Sequence, residues 1–493
     1  MDAIDVVMLI APLVTLVAIG GVRVGTRLGL PALLLFLLFG MVLGESGFGF
    51  EFDDATVAQG LGYAALVLIL AEGGLTTKWE EIRPSIGLAT VLATVGVVVT
   101  IGLMTVIGHY ALGLPLILAL LFGAVNAGTD AAAVFSVLRG IPLPGRVRAV
   151  LEGESGLNDA PTVLIVTAAT ALAVGDRPAG GVAGVAAMVV AQLAGGIALG
   201  AVLGALGVFV LRRFALPAAG LYPLAALAWS VLAYGLATQI SVSGFAAVYL
   251  CAMVLGNGRL PHRHATQAFA EGTGWIAQIG LFVMLGLLAS PGRITWDTAV
   301  TALLAGLFLT FLVRPLAVAL CAVWFRMPWR EQAFLSWAGL RGAVPIILAT
   351  VPMAAQMEDA DRLFDAVLVF VVCYTAIQAP SLPWVARRLG LVRTGACTAV
   401  EIEPAPMDER RADLFKVTLT QDSRLTGLPL RCLDLPADTV VALVMRGPDS
   451  FAPEGDTVLR RHDTLLVVAP GRQEGAVERY FAEVTAAPED DPA

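Results

Sequence analysis

Apolar runs long enough to cross a bilayer follow one another through most of this chain, and nothing else in the sequence restricts its fold as tightly. About 17 to 25 predominantly apolar residues span a membrane as a helix. Thirteen such runs, bounded by charges or Gly/Pro turns, fall near 4–22, 28–44, 57–77, 85–108, 112–138, 149–174, 180–211, 217–239, 241–257, 268–290, 296–325, 331–356 and 362–386. A charged content of 14 %, against about 25 % in soluble domains, agrees with them. The expected fold is an all-α polytopic membrane protein of about thirteen transmembrane helices with a small soluble domain behind it.

The apolar bias divides the chain. Residues 1–393 form the membrane domain, 394–412 ("TGACTAVEIEPAPMDERRA") read as a linker, 413–484 as a cytoplasmic α+β unit, and 485–493 as an acidic tail. Inside the α+β unit, "LFKVTLT", "TVVALVMRG" and "DTLLVVAP" are predicted strands, with a short helix near 425–433, a turn at "RGPDS" and a closing amphipathic helix in "QEGAVERYFAEV". At the other end, Asp2 and Asp5 stand at the front of the first apolar run, where a signal peptide would be basic, so that run reads as a first membrane helix.

Lys and Arg crowd the cytoplasmic loops of a membrane protein. With the N-terminus outside, sixteen of them fall on one face and only Arg177, Arg293 and Arg362 on the other. The expected orientation is therefore N-terminus outside and C-terminus in the cytoplasm. Thirteen crossings also divide into six, one connecting helix and six, an inverted-topology repeat of the kind found in secondary transporters. The fifth helix of the first half carries "VNAGTDAAAV" and the fifth of the second "WAGLRGAVP", each with a charge beside a glycine at mid-depth.

An ionised group inside a bilayer faces a cavity or a partner, and it marks function by default. Of 21 basic residues before the linker only Arg314 and Arg341 fall well inside the runs, and the acids singled out there are Glu72, Asp130, Glu154 and Asp159. In "EGESGLNDAPTV" the four-residue spacing stacks Glu154 with Asn158 and Ser155 with Asp159 on adjacent faces. Pro161 frees the carbonyl of Leu157, since its ring supplies no N–H. Hydroxyl, amide, carboxylate and spare carbonyl are hard oxygen ligands for a bare monovalent cation.

Arg314 is permanently charged and needs an anionic partner, for which Glu154 is the choice. Asp159 is then left to hold a proton or a cation in turn, in a cycle that moves no net charge. Asp130, after Thr129, can neutralise the positive end of a broken helix, and Arg341 either serves the negative end of the second break or pairs locally. The bland alternatives stand beside these roles: Asp159 as a packing acid paired with Arg314 or Arg341, and Glu72 as a mouth-lining acid.

Several function classes drop out. The four histidines fall in expected loops or the soluble part, which argues against a Ser/His hydrolase. Neither H-E-x-x-H nor a Walker A motif occurs, so neither a metalloprotease nor an ATP-driven pump is expected. The five dispersed cysteines have no metal-ligand spacing. A net charge of −8 without a basic patch gives no reason to expect nucleic acid. No enzyme activity and no cofactor are expected.

Taken together, "GTDAAAVFSVLR", "EGESGLNDAPTV", "FLVRPLAV" and "GLRGAVP", with "SGFAAVYLCAMVLGN" and "GWIAQIGLFVMLGLL", resemble the bacterial NhaP-type cation:proton antiporters, relatives of the animal sodium/proton exchangers. The resemblance covers about 1–390. It implies that Asp159 carries cation and proton alternately, with Ser155, Glu72, Asn158, Thr129 and Asp130 around it, and that Glu154 pairs with Arg314. It also implies a homodimer in a bacterial inner membrane whose core moves like an elevator against a dimerisation domain. The chain departs from many relatives in having "NAG" before Thr129 and glutamate at 72.

Residues 423–469 resemble the C-terminal half of RCK/TrkA regulatory domains. Such domains pair as dimers and in some proteins bind regulatory nucleotides, so a cyclic dinucleotide is the ligand class the resemblance admits. No Gly-rich half precedes them, and NAD is not expected. This attachment favours potassium over sodium as the transported ion, exchanged for protons in pH homeostasis. The competing expectation is a cation channel regulated by the same tail, which the lack of a T-V-G-Y-G-like filter disfavours.

Overall fold

Alternation of apolar runs with short polar turns gives a bundle of helices, followed after Leu391 by a separate sheet unit. The computed structural model describes residues 12–22, 31–45, 47–49, 52–138, 141, 143–175, 181–214, 216–258, 260–392, 400–405, 412–419, 423, 425–447, 449–470, 476–477 and 480–481. In the membrane unit these include α1 (Pro12–Val22), α2 (Ala32–Leu43), α3 (Ala55–Thr76), α4 (Trp79–Tyr110), α5 (Leu116–Val125), α6 (Ala131–Val137), α7 (Gly145–Ala173) and α8 (Gly181–Arg213). They continue with α9 (Leu221–Gln239), α10 (Gly244–Asn257), α11 (Arg263–Leu288), α12 (Trp296–Phe325), α13 (Trp329–Trp337), α14 (Ala343–Ala354) and α15 (Ala360–Arg388). Among the described residues, eight helices have the length and hydropathy to cross a membrane, and five further apolar helices are shorter.

The helices sort into two packed groups. One holds α2, α3 and α8 to α11, and the other holds α4 to α7 and α12 to α15. They meet chiefly where α14 lies against α3 and where α7 touches α8 and α10. A Cβ on Gly156 of α7 would stand 2.2 Å from the Tyr249 hydroxyl of α10, so the second contact needs glycine.

Two kinds of irregularity interrupt the second group, at matching positions. Helices α4 and α12 each contain one π turn, Leu92–Gly96 and Leu309–Val313. Pro315 contributes to the second, because it has no N–H to close the turn onto the carbonyl of Phe311. The expected fifth helix of each half is broken outright, between α5 and α6 at 126–130 and between α13 and α14 at 338–342. The glycines and polar residues of "NAGTD" and "AGLRG" account for the breaks. By contrast α7 stays helical for 29 residues through Pro161, about 43 Å at the helical rise.

His109 and His264, expected in loops, stand in the last turn of α4 and the first turn of α11. Residues 1–11 of the first expected run, the acidic tail 485–493, and Arg23, Arg27, Arg139, Arg177, Arg259 and Arg393 lie outside the described residues.

The C-terminal unit is a five-stranded antiparallel sheet in the order β1-β2-β5-β3-β4, with β1 Val400–Ala405, β2 Ala412–Leu419, β3 Val440–Arg446, β4 Asp449–Phe451 and β5 Thr464–Pro470. Two features differ from the expectation. Strand β1 occupies part of the expected linker: it is an edge strand paired only with β2, a place that tolerates Pro404. The expected helix at 425–433 is a 3-10 turn over Leu430–Cys432. The closing helix is described only at 476–477 and 480–481, where Val477 and Phe481 are buried in the apolar core with Phe415, Val444 and Val467.

One buried acid fastens this unit. Asp463 accepts from Arg446 Nε (2.8 Å) and Nη2 (2.7 Å) and from the Arg460 N–H (2.7 Å). Burial pushes its carboxyl up, but the Arg446 and Arg460 hydrogen bonds and charges outweigh this and hold it below the usual carboxylate range. A depressed folded-state value makes the stabilisation full above the unfolded carboxyl value of about 4 and removes it as pH falls through the folded value. Asp463→Asn is expected to lower the stability of this unit by about 2 kcal/mol at neutral pH and to flatten its acid sensitivity. Limited proteolysis of the C-terminal unit in the intact protein, followed from neutral to acidic pH, measures both.

Candidate functional site

A helix broken in mid-membrane exposes carbonyls at one inner end and N–H groups at the other, and none of these can turn to water. Here the two broken helices meet. The Asp130 N–H donates to the Leu340 carbonyl at 2.9 Å, joining the two extended links. Arg341 donates from Nε to the Asn126 carbonyl and from Nη1 to the Gly339 carbonyl, both at 2.9 Å, so one cation serves the C-terminal ends of α5 and α13. Asp130 is its opposite. Its Oδ1 accepts from the Ala133 N–H at 3.2 Å at the start of α6, and its Oδ2 lies so close to Gly342, the residue before α14, that a Cβ there would be 1.7 Å away. Opposite charges thus complement opposite helix ends.

The sequence left Arg341 either at the negative end of the second break or in a local pair beside Glu154 and Arg314. Among the described residues no carboxylate lies within salt-bridge distance of Arg341, and backbone carbonyls hold it instead. Helix ends carry partial negative charge, which is sufficient partner for a guanidinium with several donors. Arg314, which directly follows the π turn of α12, grips Glu154 with two parallel bonds, Nη1 to Oε1 at 2.6 Å and Nη2 to Oε2 at 2.9 Å. Both side chains are almost fully buried.

On the neighbouring face of α7 lies a cavity of about 290 Å3 lined by Asp159, Ser155, Asp130, Thr129 and Glu72 together with Glu152 and Tyr249. Glu154, Asn158, Arg314 and Arg341 do not line it. Ser155 Oγ accepts from the Ala131 N–H at 3.1 Å, and Asn158 Nδ2 donates to Thr129 Oγ1 at 2.8 Å. Asp159 is 7 % exposed, and its Oδ1 has no hydrogen-bond partner among the described residues. Glu72 reaches the cavity from α3, in the other helix group.

Sequence reasoning overlooked four contributors. Glu152, one helical turn before Ser155 and Gly156, accepts from Thr77 Oγ1 at 3.2 Å and lines the cavity. It lies inside the expected run 149–174, at the front of "EGESGLNDAPTV", and its position there could have marked it. Thr162 lies four residues after Asn158, a spacing that could have marked it, and donates to the Asn158 carbonyl at 2.6 Å. Tyr249 and Gly342 gave no signal, because each acts through contacts distant in sequence.

A polytopic bundle with two interrupted helices crossing beside an uncommitted carboxylate is the architecture of a secondary transporter for small ions. Comparison with known proteins narrows the class. The chain belongs to the sodium/hydrogen exchanger transmembrane family, which matches residues 13–388, and a TrkA-C domain matches residues 414–482. It is 35 % identical over 474 residues to the K(+)/H(+) antiporter NhaP of Alkalimonas amylolytica, covering 95 % of this chain and 82 % of that one. To the K(+)/H(+) antiporter NhaP2 of Shewanella oneidensis it is 34 % identical, covering 99 % and 85 %. The sodium proton antiporter MjNhaP1 of Methanocaldococcus jannaschii at pH 8 superimposes with a TM-score of 0.67 at 20 % identity over 77 % of this chain and 100 % of that one, which shows a shared fold. These relatives are membrane transporters and not enzymes, and so is this protein.

Removing one partner of a buried ion pair leaves an unpaired charge, at a typical cost of about 3–5 kcal/mol. Glu154→Ala is therefore expected to lower the melting temperature in detergent markedly, and Glu154→Leu combined with Arg314→Met to recover most of the loss. Thermal unfolding of the wild type, the single variant and the double variant decides it: equal damage from the single and double variants would contradict a charge-based account.

Proposed function

We propose that the protein exchanges a monovalent cation for protons across the membrane, one for one, at Asp159. The observation that carries this reading is the division of charges at the site. Glu154 and Arg314 neutralise each other, while Asp130 and Arg341 are engaged at helix ends. Among the described residues, Asp159 alone combines burial, a place on the cavity wall and an oxygen with no partner. An ionised carboxylate so placed needs a counter-ion, and a proton and a metal cation cannot both neutralise it.

Ser155, Glu72, Thr129 and Asp130 surround the ion as oxygen donors, with Asn158 orienting Thr129. Potassium is the favoured cation, in keeping with what the NhaP and NhaP2 relatives are named for, and sodium is the alternative.

Alternating access would move the group containing α4 to α7 and α12 to α15 against the group containing α2, α3 and α8 to α11, as an elevator. That assignment rests on the sparse contacts between the groups and on the site lying at their border. Residues 413–484 serve as a regulatory domain, tied to the membrane domain through 394–412, with a cyclic dinucleotide as the ligand class to try first. The working unit is a homodimer in a bacterial inner membrane, N-terminus outside and C-terminus in the cytoplasm.

In proteoliposomes, potassium-driven dequenching of an internal pH dye should occur without electrical current and should vanish in Asp159→Asn and Asp159→Ala. Retained exchange in either variant sinks the mechanism, and voltage-driven current without proton movement would make the protein a channel.

A further inference from the structure

Gly128 sits in the extended link between α5 and α6, and the space in front of it is unusual. The three nearest atoms to a Cβ built there are all oxygens: Asp159 Oδ1 at 3.7 Å, Asn158 Oδ1 at 3.9 Å and Thr162 Oγ1 at 3.9 Å. Asn158 and Thr162 are fully buried and Asp159 nearly so.

The hydrogen-bond pattern fixes what each oxygen can do. Asn158 has given its amide nitrogen to Thr129 Oγ1, so its carbonyl oxygen is the atom that faces the space. Thr162 has given its hydroxyl hydrogen to the Asn158 main-chain carbonyl, which leaves only lone pairs outward. Asn158 Oδ1 and Asp159 Oδ1 are both buried without a partner among the described residues. Three acceptors therefore face one space with no protein donor committed among them. In a medium of low dielectric such an arrangement calls for a positive charge or a hydrogen-bond donor. Carboxylate, amide and hydroxyl oxygens are ligands for hard cations.

We propose that this space is a second coordinating position for the transported alkali cation, with Asn158 Oδ1 and Thr162 Oγ1, which do not line the cavity, completing its coordination beside Asp159. The inference rests on cation exchange at Asp159. Asp159 lines the 290 Å3 cavity and also faces the space before Gly128, while neither Asn158 nor Thr162 lines the cavity, so one carboxylate borders both regions and can pass the ion from one to the other. Thr162 becomes a binding residue, and Gly128 matters because it leaves the space open.

Gly128→Ala is a clean probe, since the added methyl meets its neighbours at ordinary van der Waals distances and occupies the space. Thr162→Val keeps the shape and removes the oxygen, while Thr162→Ser restores it. Potassium and sodium titrations of exchange in proteoliposomes should show KM raised roughly tenfold in Gly128→Ala and Thr162→Val, with Vmax little changed and near-normal KM in Thr162→Ser. The double variant should be little worse than either single one. Unchanged KM in both single variants overturns the proposal, as does a loss confined to Vmax or to monodispersity that serine does not repair. Exchange that survives Asp159→Asn would instead overturn the underlying reading, whatever Gly128→Ala does.

Discussion

A backbone that leaves its helix inside a membrane must find a partner for every group it frees, and this constraint organises the protein. The two breaks satisfy each other through the bond between Asp130 and Leu340 and through one arginine shared by two C-terminal helix ends. Asp130 does the corresponding work at the start of α6 and against Gly342. Glycine is required at 342 because the carboxylate occupies the space of any side chain. Two local faults become one rigid crossing.

The crossing determines which charges remain available. A buried pair such as Glu154 with Arg314 contributes little net stability against an apolar replacement but is costly to break, so it behaves as fixed framework. Ser155 Oγ is held by the Ala131 N–H and the Asn158 amide nitrogen is committed to Thr129, which leaves the Asn158 Oδ1 without a partner among the described residues. Asp159 is what this framework leaves uncommitted, and its neighbours turn oxygens toward it from two sides. Under the proposed exchange at Asp159, selectivity between cations would depend on how rigidly those oxygens are held, and α7, helical without interruption through Pro161, carries several of them.

Much of this was legible in the chain. Apolar run length revealed the helices, and charges stranded in those runs revealed Asp130, Glu154, Asp159, Arg314 and Arg341. Helical spacing separated the Glu154/Asn158 face from the Ser155/Asp159 face, and the cavity is lined by the second. What spacing could not give was the other side of each contact. That Arg341 serves α5 as well as its own break depends on how two distant segments cross. Gly128, Gly342 and Tyr249 look like ordinary membrane residues until packing places an oxygen or a glycine opposite them. In the C-terminal unit, strand β1 escaped notice because an edge strand needs only one neighbour and tolerates a proline and charges.

The central claim is that one carboxylate carries either ion, and its signature is competition. The most direct measurement is the apparent potassium affinity of wild-type exchange in proteoliposomes across a series of pH values. If Asp159 alternates between proton and cation, KM rises as pH falls, approaching about one decade per pH unit on the acid side, while Vmax at saturating potassium holds. A KM that stays constant with pH while Vmax falls would place proton and cation at different groups and contradict the account.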